Sequence, residues 1–303
     1  MPSNPELSAV PVSAAKRKNA PKEDEDDSGS DSGSDVSMIN VDFDFYNLNP
    51  DVDQMALKRL LRQTLSHDEE LIDVHPLASL ILSEGARLGA GSSIKTDGEE
   101  SDPWGLVAVV DIARHREDPA LKPFLDYLLS TIPKHSPLHM LLDPGNSPAL
   151  SNLPALVFSL RLLNLPLPLI PPLYKMLLGE LDTSQPGREA VPEFTHWIVW
   201  GRGYRLEGAE QAMGLEMDGA GKKSKKSKSN GANVVPLQAG SFPYHPEEEF
   251  IDRVATVVHT FPFKTAPTTR DDESFGVEQF GRLVLLDRKK LGKAVEAMEE
   301  ACR

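Results

Sequence analysis

The stretch WGLVAVVDI, residues 104–112, constrains the fold more tightly than any other part of the chain. It is apolar almost throughout, so a strand made from it needs cover on both faces, as a central strand between two helical layers has. MINVDFDF (38–45) alternates instead, the period of a strand with one wet face. Asn49 and Pro50 stand where a cap and a first helical residue belong, ahead of Leu57, Leu60, Leu61 and Leu65 at helical spacing.

The same alternation of periods continues down the chain. DPALKPFLDYLLSTI puts Leu121, Phe124, Leu125, Leu128, Leu129 and Ile132 on one helix face. ALVFSL (155–160) fits a buried strand or a helix segment, and GAGSSIKTDGEESDP (89–103) has room for a short strand around Ile94. PPLYKMLLGEL (171–181) predicts a helix with Leu173, Leu177 and Leu181 on one stripe, and FTHWIVWGRGYRLE (194–207) a long strand. PEEEFIDRVATVV (246–258) predicts a helix with acids in its first turn, where they favour the dipole. FGRLVLLD (280–287) and KKLGKAVEAMEEA (289–301) give a last strand and helix. The leucines of LASLILSEGARL (77–88) have the spacing of an export signal, which is also that of any amphipathic helix packed on a core. Strands and helices in this order predict a mixed α/β domain, a central mixed sheet flanked by helices.

Composition marks where this domain stops. Residues 1–38 lack aromatics, are rich in Ser, Asp, Glu and Pro, and are expected to be a disordered acidic tail. Of the net charge of −14, seven charges come from Glu23, Asp24, Glu25, Asp26, Asp27, Asp31 and Asp35, a run without Lys or Arg. A second break, 207–240, carries Lys222, Lys223, Lys225, Lys226 and Lys228 between glycines and reads as a flexible insertion in one domain spanning 39–303. The single cysteine, Cys302, excludes an intrachain disulfide, and the hydrophobic region 147–181 is interrupted by Arg161, Lys175 and several prolines. A soluble intracellular protein without membrane insertion is expected.

The motifs of catalysis are missing from the sequence. GKKS (221–224) lacks the earlier glycine and the strand of a phosphate loop, and GAG (89–91) and GRG (201–203) lack the third glycine of a dinucleotide fingerprint. His135 and His139 are four apart, but Pro137 separates them and no Glu follows the first, so the zinc-protease helix is absent. The nearest approach to a coenzyme A pyrophosphate turn, RLEGAE (205–210), ends in a glutamate that would repel phosphate. No cofactor and no catalytic residue is expected.

Charge points to binding. An acidic chain is matched to basic proteins rather than to a phosphate backbone, and no aromatic residue interleaves with the lysines to stack on bases. Direct nucleic-acid binding is therefore not expected. Lys16, Arg17 and Lys18, together with the lysines at 222–228, form clusters of the kind read by nuclear import receptors. Ser28 and Ser32 each precede an Asp by three residues, a context for acid-directed kinases, and phosphorylation would deepen the polyanion. The tail is either a solubiliser or a tethered polyanion that screens a basic client. Asp42 and Asp44, on the wet face of the first strand, extend that acidic surface as candidate partner-binding residues. Trp104, Trp197 and Trp200 are in strand-like segments, where core packing is the expected use of buried aromatics. The last two face opposite sides, which leaves one available as a partner anchor.

INVDFDFYNLNPDVDQMALKRLLRQTL, WGLVAVVDIARHRED, RLLNLPLPLIPPLYKMLL, PEEEFIDRVATVVHTFPF and GRLVLLDRKKLGKAVEAM, in this order, resemble the BCCIP family of eukaryotic nuclear proteins, with its fungal Bcp branch. The resemblance spans most of 38–303. It implies a fold similar to Gcn5-related acetyltransferases without the coenzyme-binding turn. It also implies a non-enzymatic role in the nucleus, with shuttling to the cytoplasm: chaperoning a basic large-subunit ribosomal protein in ribosome biogenesis, and working with nuclear transport factors in the export of a phosphatidylinositol-phosphate kinase. The alternatives are a cryptic acyl-coenzyme A-dependent acetyltransferase and a scaffold for DNA-repair and cell-cycle proteins.

Overall fold

The structure is a computed structural model that describes residues 41–143, 153–182, 191–206, 240–265 and 277–302. The predicted acidic tail, the basic clusters at 16–18 and 222–228, Ser28, Ser32 and most of the 207–240 insertion lie outside these residues. The chain divides between Asn40 and Val41, and the described residues all belong to the second unit.

The architecture is one mixed sheet between two helical layers. In chain order the strands are β1 (Asp44–Asn47), β2 (Ser92–Lys95), β3 (Gly105–Asp111), β4 (Pro154–Arg161), β5 (His196–Leu206), β6 (Ser241–Pro243), β7 (Val257–Pro262) and β8 (Val277–Asp287). Their spatial order is β1-β2-β3-β4-β5-β8-β7, with β6 also paired to β5. The helices are α1 (Gln54–Leu65), α2 (Val74–Leu88), α3 (Ile112–His115), α4 (Lys122–Leu129), α5 (Pro137–Leu142), α6 (Ile170–Asp182), α7 (Glu248–Val254) and α8 (Arg288–Ala301).

Period two distributes the central strands between two cores. On β3, Leu106, Ala108 and Val110 join the first core, with α1, α2, α4 and α5, while Val107 and Val109 join the second, with α6 and α8. The whole of β3 is buried, as its apolar run requires, and ALVFSL resolves as buried strand β4. Trp200 goes to the first core and Trp197 to the second. Neither is an exposed anchor: they are 2% and 1% exposed, because both faces of β5 carry helices. Leu77, Leu80, Ile81, Leu82 and Leu88 of the export-signal-like stretch are buried on α2, so that spacing serves packing. The turn before β2 needs a glycine. Gly91 has φ +116°, and a Cβ there would stand 2.9 Å from the Val107 carbonyl oxygen.

Three boundaries differ from the sequence expectation. The first strand begins at Asp44 rather than Met38 among the described residues, pairing Asp44 with Lys95 and Asn47 with Ser92. The first helix begins at Gln54. Asn49 makes a turn instead of a cap, its side chain accepting from the Asp51 N–H (3.0 Å) while the Asp53 carboxylate accepts from the Asn49 N–H (2.9 Å). Asp53 is itself held by a tertiary partner, the buried Lys95 ammonium at 2.7 Å, which a local reading of NLNP cannot supply. The helix expected over 246–258 ends at Val254, since Thr256 donates to Leu285 and Val257 and Val258 are drawn into the ladder with β8. Sheet pairing overrides the helical pattern there.

Candidate functional site

Strands β4 and β5 pair in parallel, from Pro154 with His196 to Phe158 with Trp200, while the other pairings among the described strands are antiparallel. Beyond Phe158 the two strands stop pairing, although β4 continues to Arg161 and β5 to Leu206. The carboxyl ends of parallel strands, where the order of a sheet switches, are where open α/β sheets take up ligands. In this chain the space is filled from within. β6 pairs with β5 from Gly203 with Pro243 to Arg205 with Ser241, and the Tyr244 N–H donates to the Arg202 carbonyl at 3.0 Å. Gly203 permits the approach, since a Cβ there would come within 2.7 Å of the Phe242 carbonyl oxygen.

Charged side chains occupy the rest of this crevice. Arg161 follows Ala155 and Val157 in phase on β4, and Arg282 is in phase with Val284 and Leu286 on β8, so both guanidiniums enter the second core. Arg161 pairs with Glu247. Arg282 pairs with Asp252 and, at 3.7 Å, with Glu248. All but Asp252 are nearly inaccessible, Arg282 at 1% and Glu248 at 5% exposure. Ions this dry persist only when matched by partners. The acids at the start of α7 therefore answer buried arginines, and their service to the helix dipole is secondary. Burial pushes the carboxyls of Glu248 and Asp252 up, against the pull of Arg282. Burial also drives the Tyr174 phenol up to about 12. Burial, then the guanidiniums of Arg161, Arg202 and Arg282, hold the His245 imidazole well below its ordinary value, so it is neutral at physiological pH. Arg202 lies on the Tyr244 ring, 3.5 Å from its centre. What remains open is about 10 Å³, space for about one water molecule.

A second hollow is open. Gln63 borders the crevice and also a groove of about 230 Å³ between α1 and the end of the β3–β4 pair. Ala56, Leu60, Pro103, Trp104 and Leu162 give it an apolar lining, and the exposed ion pair of Arg59 with Asp102 stands at its side. The Trp104 indole N–H donates to the Thr96 hydroxyl at 3.2 Å, and the Phe43 ring meets it edge-on at 5.5 Å. Leu162 and its neighbour Leu163 are 38% and 63% exposed.

Of the acids proposed from sequence, Asp42 and Asp44 are described and both are exposed; Asp44 opens β1, whereas Asp42 precedes it. The crevice residues Arg161, Arg202, Arg282, His245, Glu247, Glu248 and Asp252 were not singled out as a site by sequence reasoning. A signal existed: Arg161 and Arg282 occupy the inward phase of apolar strands, where a charge needs a buried partner. Among the described residues, no group of three or more His, Cys, Asp and Glu is placed to hold a metal ion, and no helix is long and apolar enough to cross a membrane.

These features define a class: a mixed α/β protein in which the crevice beside the parallel strand pair is closed by its own chain. The chain belongs to the BCCIP family, whose profile matches residues 38–251. It is 33% identical over 275 residues to Protein BCP1 of Debaryomyces hansenii, covering 87% of this chain and 86% of that protein. It is 32% identical over 270 residues to Protein bcp1 of Aspergillus fumigatus, covering 86% and 87%. The fold is similar to the crystal structure of BCP1 from Saccharomyces cerevisiae, with a TM-score of 0.56 and 23% identity over 89% of this chain and 92% of that one.

Proposed function

We propose that this protein is a non-enzymatic nuclear chaperone and adaptor. It binds a basic large-subunit ribosomal protein, keeps that client from RNA, and works with nuclear transport factors to support ribosome biogenesis and the export of proteins, a phosphatidylinositol-phosphate kinase among them. The filled crevice is the observation that carries the reading. Small-molecule sites usually offer roughly 300–1,000 Å³, whereas about 10 Å³ is open beside the parallel pair. Two arginines, Arg161 and Arg282, and three carboxylates are spent on one another there, and Arg202 lies on the Tyr244 ring. The net charge of −14 supports a basic partner, and the acids Glu23–Asp27, Asp31 and Asp35, with Asp42 and Asp44, supply the polyanion that screens it. The basic clusters at 16–18 and 222–228 serve nuclear entry, and phosphorylation at Ser28 and Ser32 strengthens the screen.

Co-expression of the full chain with a basic large-subunit ribosomal protein tests the reading. The client is expected to stay soluble and to co-purify. A client that precipitates with or without the chain defeats it. Calorimetry with acetyl-coenzyme A is expected to give no heat of binding, and saturable binding would turn the reading toward an acyltransferase.

A further inference from the structure

The open groove beside α1 has no task in the fold. Its lining is apolar and reachable, and Leu162 and Leu163 carry the apolar surface outward. Exposed apolar surface that lines a concave site is the ordinary mark of a binding surface. The wall opposite α1 is made by Asp102, Pro103 and Trp104, the end of the loop between β2 and β3, TDGEESDPW (96–104), which also carries the acids Asp97, Glu99 and Glu100 and no Lys or Arg. These four carboxylates are exposed. One of them already holds a guanidinium, because Arg59 reaches across from α1 to Asp102. Both members of that pair are more than half exposed, at 63% and 59%, so the contact is weakly held and easily exchanged.

We propose that this groove docks a segment of the basic client, with an apolar side chain on Leu60, Trp104 and Leu162 and an arginine or lysine on Asp102 in place of Arg59. The inference rests on the chaperone reading and gives it a surface. Charge complementarity selects the occupant: an acidic loop beside an apolar floor suits a segment in which basic and apolar residues alternate, and repels an acidic one. Trp104 is the anchor on this side. It is half-buried, fixed by Thr96 and Phe43, and therefore pays little ordering entropy on contact.

The test uses the full chain with its tryptophan indoles observed by NMR, titrated with a short synthetic peptide of alternating arginine and leucine. Two control peptides replace arginine by glutamate or leucine by serine. The arginine–leucine peptide is expected to move the Trp104 indole signal and leave those of Trp197 and Trp200, which are buried in the two cores. Asp102→Lys and each control peptide are expected to weaken binding by about tenfold or more. Asp102 and Leu162 are exposed, so Asp102→Lys and Leu162→Glu keep the fold, which thermal unfolding checks. An unmoved Trp104 signal overturns the proposal, including the case in which the peptide binds only the acidic run at 23–35. Unchanged affinity in Asp102→Lys, or tighter binding of the glutamate peptide, overturns it too. Co-expression separates this inference from the reading beneath it. If wild type and Leu162→Glu both keep the client soluble, the groove is not the docking surface and the chaperone reading stands. If wild type fails to do so, the chaperone reading falls, and the peptide titration still decides what the groove binds.

Discussion

The crevice and the groove meet at Gln63 and are built from opposite materials. The crevice holds Arg161, Arg202, Arg282, Glu247, Glu248 and Asp252, the kind of gathering that marks many active sites, yet about 10 Å³ of it is open. The groove is lined mainly by Ala56, Leu60, Pro103, Trp104 and Leu162 and leaves about 230 Å³ open. Buried charges have to be paired at once, by whatever the chain can bring, so a polar cavity tends to be consumed by its own partners. An apolar hollow at the surface makes no such demand and can wait for an occupant. Richness in ionisable groups is thus a poor guide to which hollow of this protein stays open.

Substitutions can break this comparison in order of expected size. The largest effect belongs to Arg282→Met, which strands Glu248 and Asp252 in the second core and is expected to cost about 3–5 kcal/mol in urea unfolding. A cost below that of the exposed pair would mean that the crevice is wet. Outside both hollows, Asp68 gives a reference for a dry carboxylate in a good setting. It accepts from the Lys264 N–H (3.0 Å), the Thr265 N–H (2.8 Å) and the Tyr127 hydroxyl (2.7 Å). Tyr127→Phe is expected to cost about 1.5–3 kcal/mol, the range for a hydrogen bond to a charged group.

Burial pushes the Asp68 carboxyl up, but these hydrogen bonds outweigh it and hold the group below its ordinary 3.8. Its contribution is therefore fully present above 3.8 and lost as pH falls through the lower folded value. Glu248 and Asp252 have raised values, so their contribution has the opposite sign: present at low pH and lost as pH rises through the folded value. Unfolding followed between about pH 5 and 2 is expected to show a flatter acid limb in Asp68→Asn and no flattening in Glu248→Gln. Next in size, Gly203→Ala forces β6 off β5 and is expected to cost about 1–3 kcal/mol. The smallest effect is at the groove, where Arg59→Ala removes an exposed pair and is expected to change stability by about 0–1 kcal/mol, measured in the same urea series.

Much of the fold was legible because burial leaves a period. β3 and the stripe of α6 could be read from spacing alone, and so could the opposite facing of Trp197 and Trp200. The failures share a cause: each depended on a residue distant in the chain. NLNP reads as a cap until Lys95 claims Asp53, and Val257 and Val258 read as helix until β8 takes them into the ladder. Glu247 and Glu248 read as dipole partners until Arg161 and Arg282, in strands far apart in the chain, reach them. Asp42 and Asp44 were legible as exposed acids, although only Asp44 falls on a strand.

The groove had no signature at all, since Leu60, Trp104 and Leu162 stand on three separate segments. By itself the sequence determined the class of fold, the period of each core strand and the acidic character of the chain, because these are set by neighbours within a turn or a pleat. Tertiary structure alone decided which charges are spent inside and which apolar residues stay in reach of a partner, because both depend on what other segments bring to the same place.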